Sequence, residues 1–302
     1  YTISTAVLWA TFFDHLGYRL VMTPPTNNRI SDMGIEVMTA ETCYPVKVSH
    51  GHIRLLEGKT RLLFLPIIID MPTYLESERG FFCPLVQSNS YMVRAALNLK
   101  HDNIVAPIIH LKWDISDLGA ELAGQLAGPL RRSAGEIKEA LRHGMASQEQ
   151  HNLNMRNKGA EILASHDPES PLIVVTGRPY NLYDERLNLK LGQNLAKIGV
   201  TALPMDFIDL GSMDISDFPN MYWGLGARIL MAAKFIKARP GCYGIHLTNF
   251  GCGADSFIEH FYKHVMGDKP FLILELDEHS AVAGVMTRLE AYKNVIENNM
   301  AK

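Results

Sequence analysis

Cysteine is scarce in this chain, four residues in 302. That is far too few to staple so long a sequence, which excludes a secreted disulfide scaffold. It points instead to a reducing cytoplasm, with thiols that are buried, metal-bound or reactive. Long apolar runs are missing too: Leu62 to Ile69 and Leu272 to Leu276 are strand-length, well short of the roughly 20 residues of a membrane span. No membrane partner is expected. Charge of one sign is also lacking, with 29 basic against 32 acidic residues and a formal charge of −3. Without a Lys/Arg run or an aromatic-basic stripe, nucleic acid is not an expected partner. C-x-x-C pairs, the P-loop and the dinucleotide-binding glycine fingerprint are all absent. The chain has no charged-then-apolar leader and begins at Tyr1 directly in a helical pattern (Val7, Leu8, Phe12, Phe13, Leu16), as expected of a piece of a longer polypeptide.

What is present is enough apolar residue, 47% of the sequence, to bury about two domain cores. The first third alternates helix and strand: a helix stopped by Gly17, a strand at Arg19 to Met22, a helix from near Pro45, a strand at Leu62 to Ile69, a helix at Pro84 to Leu97 and a strand at Ile104 to Ile109. Residues 115 to 165 are rich in Ala, Gln, Glu, Lys and Arg at helical spacing. Alternation resumes after Pro168, with strands at Leu172 to Thr176, Val200 to Leu203, Tyr243 to Leu247 and Phe271 to Leu276 between helices at Leu187 to Ile198, Tyr222 to Ala238, Ala254 to Val265 and from Val282. Unbroken apolar strands suit parallel sheets covered on both faces. The expected fold is α/β: two Rossmann-like, doubly wound lobes, residues 1–112 (its first strand missing) and 168–302, joined by a helical connector at 113–167.

Three cysteines take matching places in this pattern. Cys83-Pro84 and Cys252-Gly253 each follow a strand and open a helix, and Cys43-Tyr44-Pro45 opens another. The carboxyl ends of parallel strands are where open sheets bind ligands, and a helix N-terminus favours thiolate. Gly251 and Gly253 would let the backbone approach a bulky inorganic group. Cys242 precedes a strand at the opposite end and is read as structural. Three thiolates fall short of a closed zinc site but suit a 4Fe–4S cluster with one open, reactive iron, which air readily destroys. The same placement also suits buried cysteines that act as small hydrophobes.

Other candidates are less specific. Lys47, one turn after Cys43, could offset cluster charge or contact an anionic substrate. Arg178, in Thr176-Gly177-Arg178-Pro179 after a strand, could clamp a carboxylate or phosphate. Asp255 and Ser256 read more readily as helix caps than as catalysts. His50 and His52 stand two apart, a poor chelate on a helix. Glu275, Asp277, Glu278 and His279 close the last strand in a charged, solvated exit.

Glu41-Thr42-Cys43-Tyr44-Pro45-Val46-Lys47, Cys83-Pro84, Gly177-Arg178-Pro179-Tyr180-Asn181 and Asn249-Phe250-Gly251-Cys252-Gly253-Ala254-Asp255 resemble the activase-related relatives of the 2-hydroxyacyl-CoA dehydratase component family. The resemblance implies two Rossmann-like lobes with a 4Fe–4S cluster between them, on cysteines matching Cys43, Cys83 and Cys252. It also implies an ATP-hydrolysing activase module, on the same or a separate chain, that supplies a low-potential electron for chemistry on a small, acyl-CoA type substrate. The activase-related branch leaves a second reading, a non-catalytic ligand-binding or docking domain of a large activase-like protein.

Overall fold

The computed structural model describes residues 4–73, 80–100, 103–167 and 169–301. It is a mixed α/β protein with parallel sheets. The chain divides into two compact units: Tyr1–Glu41, Val46–His151 and Tyr222–Gly224 form the first, and Thr42–Pro45, Asn152–Met221 and Leu225–Lys302 the second. Pro168, the expected start of the second lobe, lies outside the described residues. Among the described residues no helix is long and apolar enough to cross a membrane.

The first unit opens with α1 (Ala6–His15), which buries Leu8, Trp9, Phe12 and Phe13. The rings of Trp9 and Phe13 lie 4.8 and 4.9 Å from that of Phe64. Next come α2 (Asn28–Val37), capped by the Asn27 side chain accepting from the Ile30 N–H, and α3 (Tyr44–Leu56), whose residues from Val46 belong to this unit. The expected strand at Arg19 to Met22 does not form: that segment is irregular, with Leu20, Val21 and Met22 exposed. Four residues before a Pro-Pro pair are too few for an apolar pattern to mean strand.

Two strand regions appear where the sequence places them, each broken in the middle. β1 (Leu63–Phe64) and β2 (Ile67–Asp70) flank Pro66, and after α4 (Pro84–Ala96) β3 (Ile104–Val105) and β4 (Ile108–His110) flank Pro107. β1 pairs with β3 and β2 with β4, all parallel. Proline has no N–H to give the ladder, so each run splits at its proline.

The stretch expected to be helical is α5 (Ile115–Leu130) and α6 (Ala134–Ser165). Asp114 caps α5, its side chain accepting from the Ser116 and Asp117 N–H groups at 2.8 and 3.1 Å. Ser133 and Glu136 form a reciprocal capping box at the start of α6: the Ser133 N–H donates to Glu136 and the Glu136 N–H to the Ser133 hydroxyl.

The second unit is built on a four-stranded parallel sheet of β5 (Leu172–Gly177), β6 (Thr201–Pro204), β7 (Cys242–Asn249) and β8 (Phe271–Leu276), in the order β6-β5-β7-β8. Every residue of β5 and β7 is buried, as central parallel strands require. The helices of this unit are α7 (Pro179–Tyr183), α8 (Leu191–Lys197), α9 (Gly224–Ala238), α10 (Gly253–Met266) and α11 (Val282–Met300). α8 starts four residues later than the periodicity suggests, because Leu189 and Lys190 adopt left-handed backbone conformations. Val285, Leu289, Tyr292 and Ile296 of α11 join Ile173, Ile245 and Leu274 in one apolar core.

In the first unit α2 and α3 meet at two glycines. A Cβ on Gly34 would stand 1.9 Å from the Lys47 carbonyl oxygen, and one on Gly51 the same distance from that of Ile30. Only glycine allows backbones this close. Gly51→Ala is expected to destabilise the chain by about 3 kcal/mol through forced separation of the helices. Gly124→Ala, in open space within α5, is expected to stabilise it by about 0.5–1 kcal/mol. Urea titration of the two variants checks the opposite signs.

Candidate functional site

The strand order of the second sheet puts β6 and β7 on opposite sides of β5. The chain therefore leaves the carboxyl ends of β5 and β7 in diverging directions, which opens the crevice where doubly wound sheets bind ligands. Three groups singled out in the sequence stand there. Arg178 follows β5 directly, Cys252 is the N-cap residue of α10 just after β7, and Asp255 lies in the first turn of α10.

Arg178 is 1% exposed and Asp255 fully buried. The Arg178 Nε–H donates to Asp255 Oδ1 at 3.0 Å, and Nη2 lies 2.9 Å from the same oxygen without hydrogen-bond alignment, so Nη2 remains a buried donor with no hydrogen-bond partner. The Thr248 hydroxyl donates to Asp255 Oδ2 at 3.0 Å. Burial alone would raise the Asp255 pKa, but the Arg178 guanidinium, His246 and the Arg178 and Thr248 hydrogen bonds hold it below the ordinary value. Burial works against the Arg178 charge too, and Asp255 chiefly holds its pKa well above the usual value, with Tyr180 and Cys252 adding. Asp255 thus anchors a buried cation rather than merely capping a helix.

The thiols respond to the same surroundings. Cys43 and Cys252 are both buried in the second unit and are electrostatic neighbours of each other and of Tyr180. The expected thiolate at the helix start is not what the metal-free protein holds at Cys252. Burial pushes that thiol up to about 12, Asp255 and Cys43 add to the shift, and Arg178 and the Asp255 N–H oppose it without winning. A metal binding there would expel the proton. Gly251 has φ +74°, and a Cβ on either Gly251 or Gly253 would meet nothing within 4 Å, so the backbone beside Cys252 faces open space.

Cys83, half-buried, is the N-cap residue of α4 with Pro84 behind it, and belongs to the first unit. Among the described residues no three His, Cys, Asp or Glu side chains gather as they would around a metal ion. As a fit to an iron–sulfur cluster, the second unit offers two soft sulfur donors within electrostatic reach of each other and a buried cation whose Nη2 lacks a hydrogen bond. Those groups suit an anionic thiolate-bound centre.

The remaining candidates have other partners. Lys47, in the first unit, pairs with Glu41 at 2.9 Å. The Ser256 hydroxyl donates to the Cys252 carbonyl at 2.8 Å, holding the first turn of α10. His52 has Thr23 and Thr26 hydroxyls 2.7 and 2.9 Å from its two ring nitrogens, and His50 Nδ1 lies 2.9 Å from the Val46 carbonyl oxygen. Asp277 accepts from the His279 N–H and the Ser280 hydroxyl in a local turn. Cys242 opens β7 at the other end of the sheet, its thiol pushed up by burial. Sequence reasoning missed Tyr180 and the buried His246, whose Nδ1 is 3.1 Å from the Thr176 hydroxyl. A histidine inside an otherwise apolar strand was the one available signal.

The sequence model of the CoA enzyme activase uncharacterised domain (DUF2229) matches residues 1–208. The chain belongs to this family. It is an activase-related domain, as its motifs led one to expect, and the matched stretch contains Cys43, Cys83 and Arg178 while Cys252 and Asp255 lie beyond it. Comparison with curated proteins and with solved structures found no match.

Removing one partner of a buried ion pair strands the other charge. Asp255→Ala is expected to cost about 3–5 kcal/mol, and the double change Arg178→Met with Asp255→Leu to recover much of that loss in urea denaturation. A second expectation concerns pH. Burial lowers the pKa of both His50 and His246 from the ordinary 6.5, so below 6.5 the unfolded chain binds more protons than the folded one. Stability is therefore complete above that value and falls as pH drops through it, by up to about 1.4 kcal/mol per pH unit for each histidine. Denaturation midpoints followed from about pH 7 to about pH 5.5, with His50→Gln reducing the slope, check this.

Proposed function

We propose that this activase-related domain is an iron–sulfur module of two Rossmann-like lobes joined by a helical connector, with Cys43, Cys83 and Cys252 as the thiolate ligands of one 4Fe–4S cluster. An ATP-hydrolysing activase module, on the same or another chain, is its electron donor in a reducing cytoplasm. Its substrate is a small molecule of the acyl-CoA class. The observation that carries this reading is that the buried thiol of Cys252, in the switch-point crevice of the second sheet, has both the Arg178 guanidinium and a second buried thiol, Cys43, as electrostatic neighbours.

When bound, such a cluster supplies an electron and a Lewis-acidic iron. The chain's own residues do the rest. Arg178 provides positive charge to balance thiolates, and Asp255 keeps that arginine in place. Cys252 gives up its proton on ligation, which couples loading to pH. Gly251 and Gly253 leave open space beside the backbone on either side of Cys252.

A second reading, a non-catalytic ligand-binding or docking domain of a large activase-like protein, draws on the end of the family match before Cys252. Anaerobic reconstitution with iron and sulfide decides between them. The proposed function expects a brown protein with roughly four irons and four sulfides per chain and an electron paramagnetic resonance signal on reduction. Each of Cys43→Ser, Cys83→Ser and Cys252→Ser is expected to abolish or sharply reduce loading, and Cys242→Ser to leave it unchanged. A colourless chain, or loading indifferent to the three substitutions, overturns the cluster. A loaded chain that turns over no acyl-CoA with activase, ATP and reductant supplied favours the docking reading.

A further inference from the structure

Two apolar strands of the first unit each end on a polar group. β2 runs Ile67-Ile68-Ile69-Asp70 and β4 runs Ile108-Ile109-His110, and parallel pairing sets Asp70 directly beside His110. Both lie at the carboxyl ends of their strands, the side where parallel sheets expose reactive groups. Asp70 is 0% exposed, and a carboxylate so buried needs donors at both oxygens. It has them: His110 Nδ1 stands 2.7 Å from Oδ2, and the Lys112 backbone N–H donates to Oδ1 at 3.1 Å.

This arrangement does more than satisfy a buried carboxylate. The contact with Asp70 places the imidazole proton on Nδ1 and leaves the lone pair on Nε2. The ring is stacked on Trp113 with centroids 4.4 Å apart and planes 9° from parallel, so packing on its face and a hydrogen bond at its edge both fix its orientation. The His110 side chain is nevertheless 23% exposed. A second aromatic residue adjoins Asp70. Phe81, bridged through its backbone to Asp70, stacks on Tyr222 with centroids 5.0 Å apart, and Trp113 and Tyr222 expose 38% and 51% of their surface. A fixed, tautomer-selected imidazole with a buried carboxylate behind it and the Trp113 ring against its face is the arrangement of a general base.

We propose that Asp70 and His110 form a proton-transfer site of the first unit, acting on a small organic molecule with a planar or apolar body. Nε2 of His110 takes the proton from a hydroxyl or activated C–H of that molecule. A new N–H bond forms, the O–H or C–H bond breaks with its electron pair left on the substrate, and the imidazolium is balanced by the Asp70 carboxylate. The reverse step returns the proton. His110 is the catalytic group and Asp70 the positioning residue. This inference stands apart from the cluster and survives its failure.

Diethyl pyrocarbonate, which acylates an unprotonated imidazole nitrogen, is the probe, with modification of each histidine in the full chain followed by mass spectrometry. His110 is expected to react several-fold faster than the more exposed His151, and Asp70→Asn to slow it about tenfold. His110 left unmodified, or modified at the same rate in Asp70→Asn, overturns the proposal. Should Asp70→Asn not fold, nitrogen-15 magnetic resonance of the wild-type chain still decides: the proton on Nδ1 supports the site, and the proton on Nε2 refutes it.

Discussion

The second unit is organised around one buried charge. Taking the Arg178 guanidinium out of water is costly unless a carboxylate meets it, and Asp255 does so from the first turn of α10. That contact ties the segment after β5 to the helix after β7, across the point where the strand order reverses. The walls of the switch-point crevice are thus held by an ion pair rather than by apolar packing alone. The arginine also keeps a buried donor without a hydrogen bond, and Cys252 is among its electrostatic neighbours. A buried cation that is incompletely hydrogen-bonded is a poor device for stability alone.

The behaviour of Cys252 follows from a contest between effects of opposite sign. The N-terminal end of α10 and the Arg178 charge favour thiolate, whereas burial and the neighbouring Asp255 carboxylate favour thiol, and burial wins. The resting group is then protonated and protected from reagents that attack thiolates, and only a ligand able to displace the proton captures the sulfur.

In the first unit the backbone sets the limits. Pro66 and Pro107 each remove a ladder donor and cut a pair of strands into four short pieces, while Gly34 and Gly51 let two helices approach to backbone contact. His50-Gly51-His52, which looks like a metal motif, is instead a packing device: its glycine makes the approach possible, and its histidines are held by a backbone carbonyl and by threonine hydroxyls.

Local features were legible where one residue type has one physical meaning. Cysteine followed by proline or glycine marks a helix start, and Cys83 and Cys252 are N-cap residues as read. Largely apolar strands mark a covered parallel sheet, and β5 and β7, buried at every residue, belong to one. Short patterns misled, as at Arg19 to Met22, because three apolar residues in a row carry no period. The sequence by itself determined the alternation of helix and strand, the helix-start cysteines and membership of the activase-related family. Only the tertiary structure decided that Arg178 meets Asp255, that Asp70 meets His110, and that Cys252 rests as a thiol. Each of these depends on burial and on partners tens of residues away along the chain, and desolvation and charge pairing are set by what surrounds a group in space, which no local pattern records.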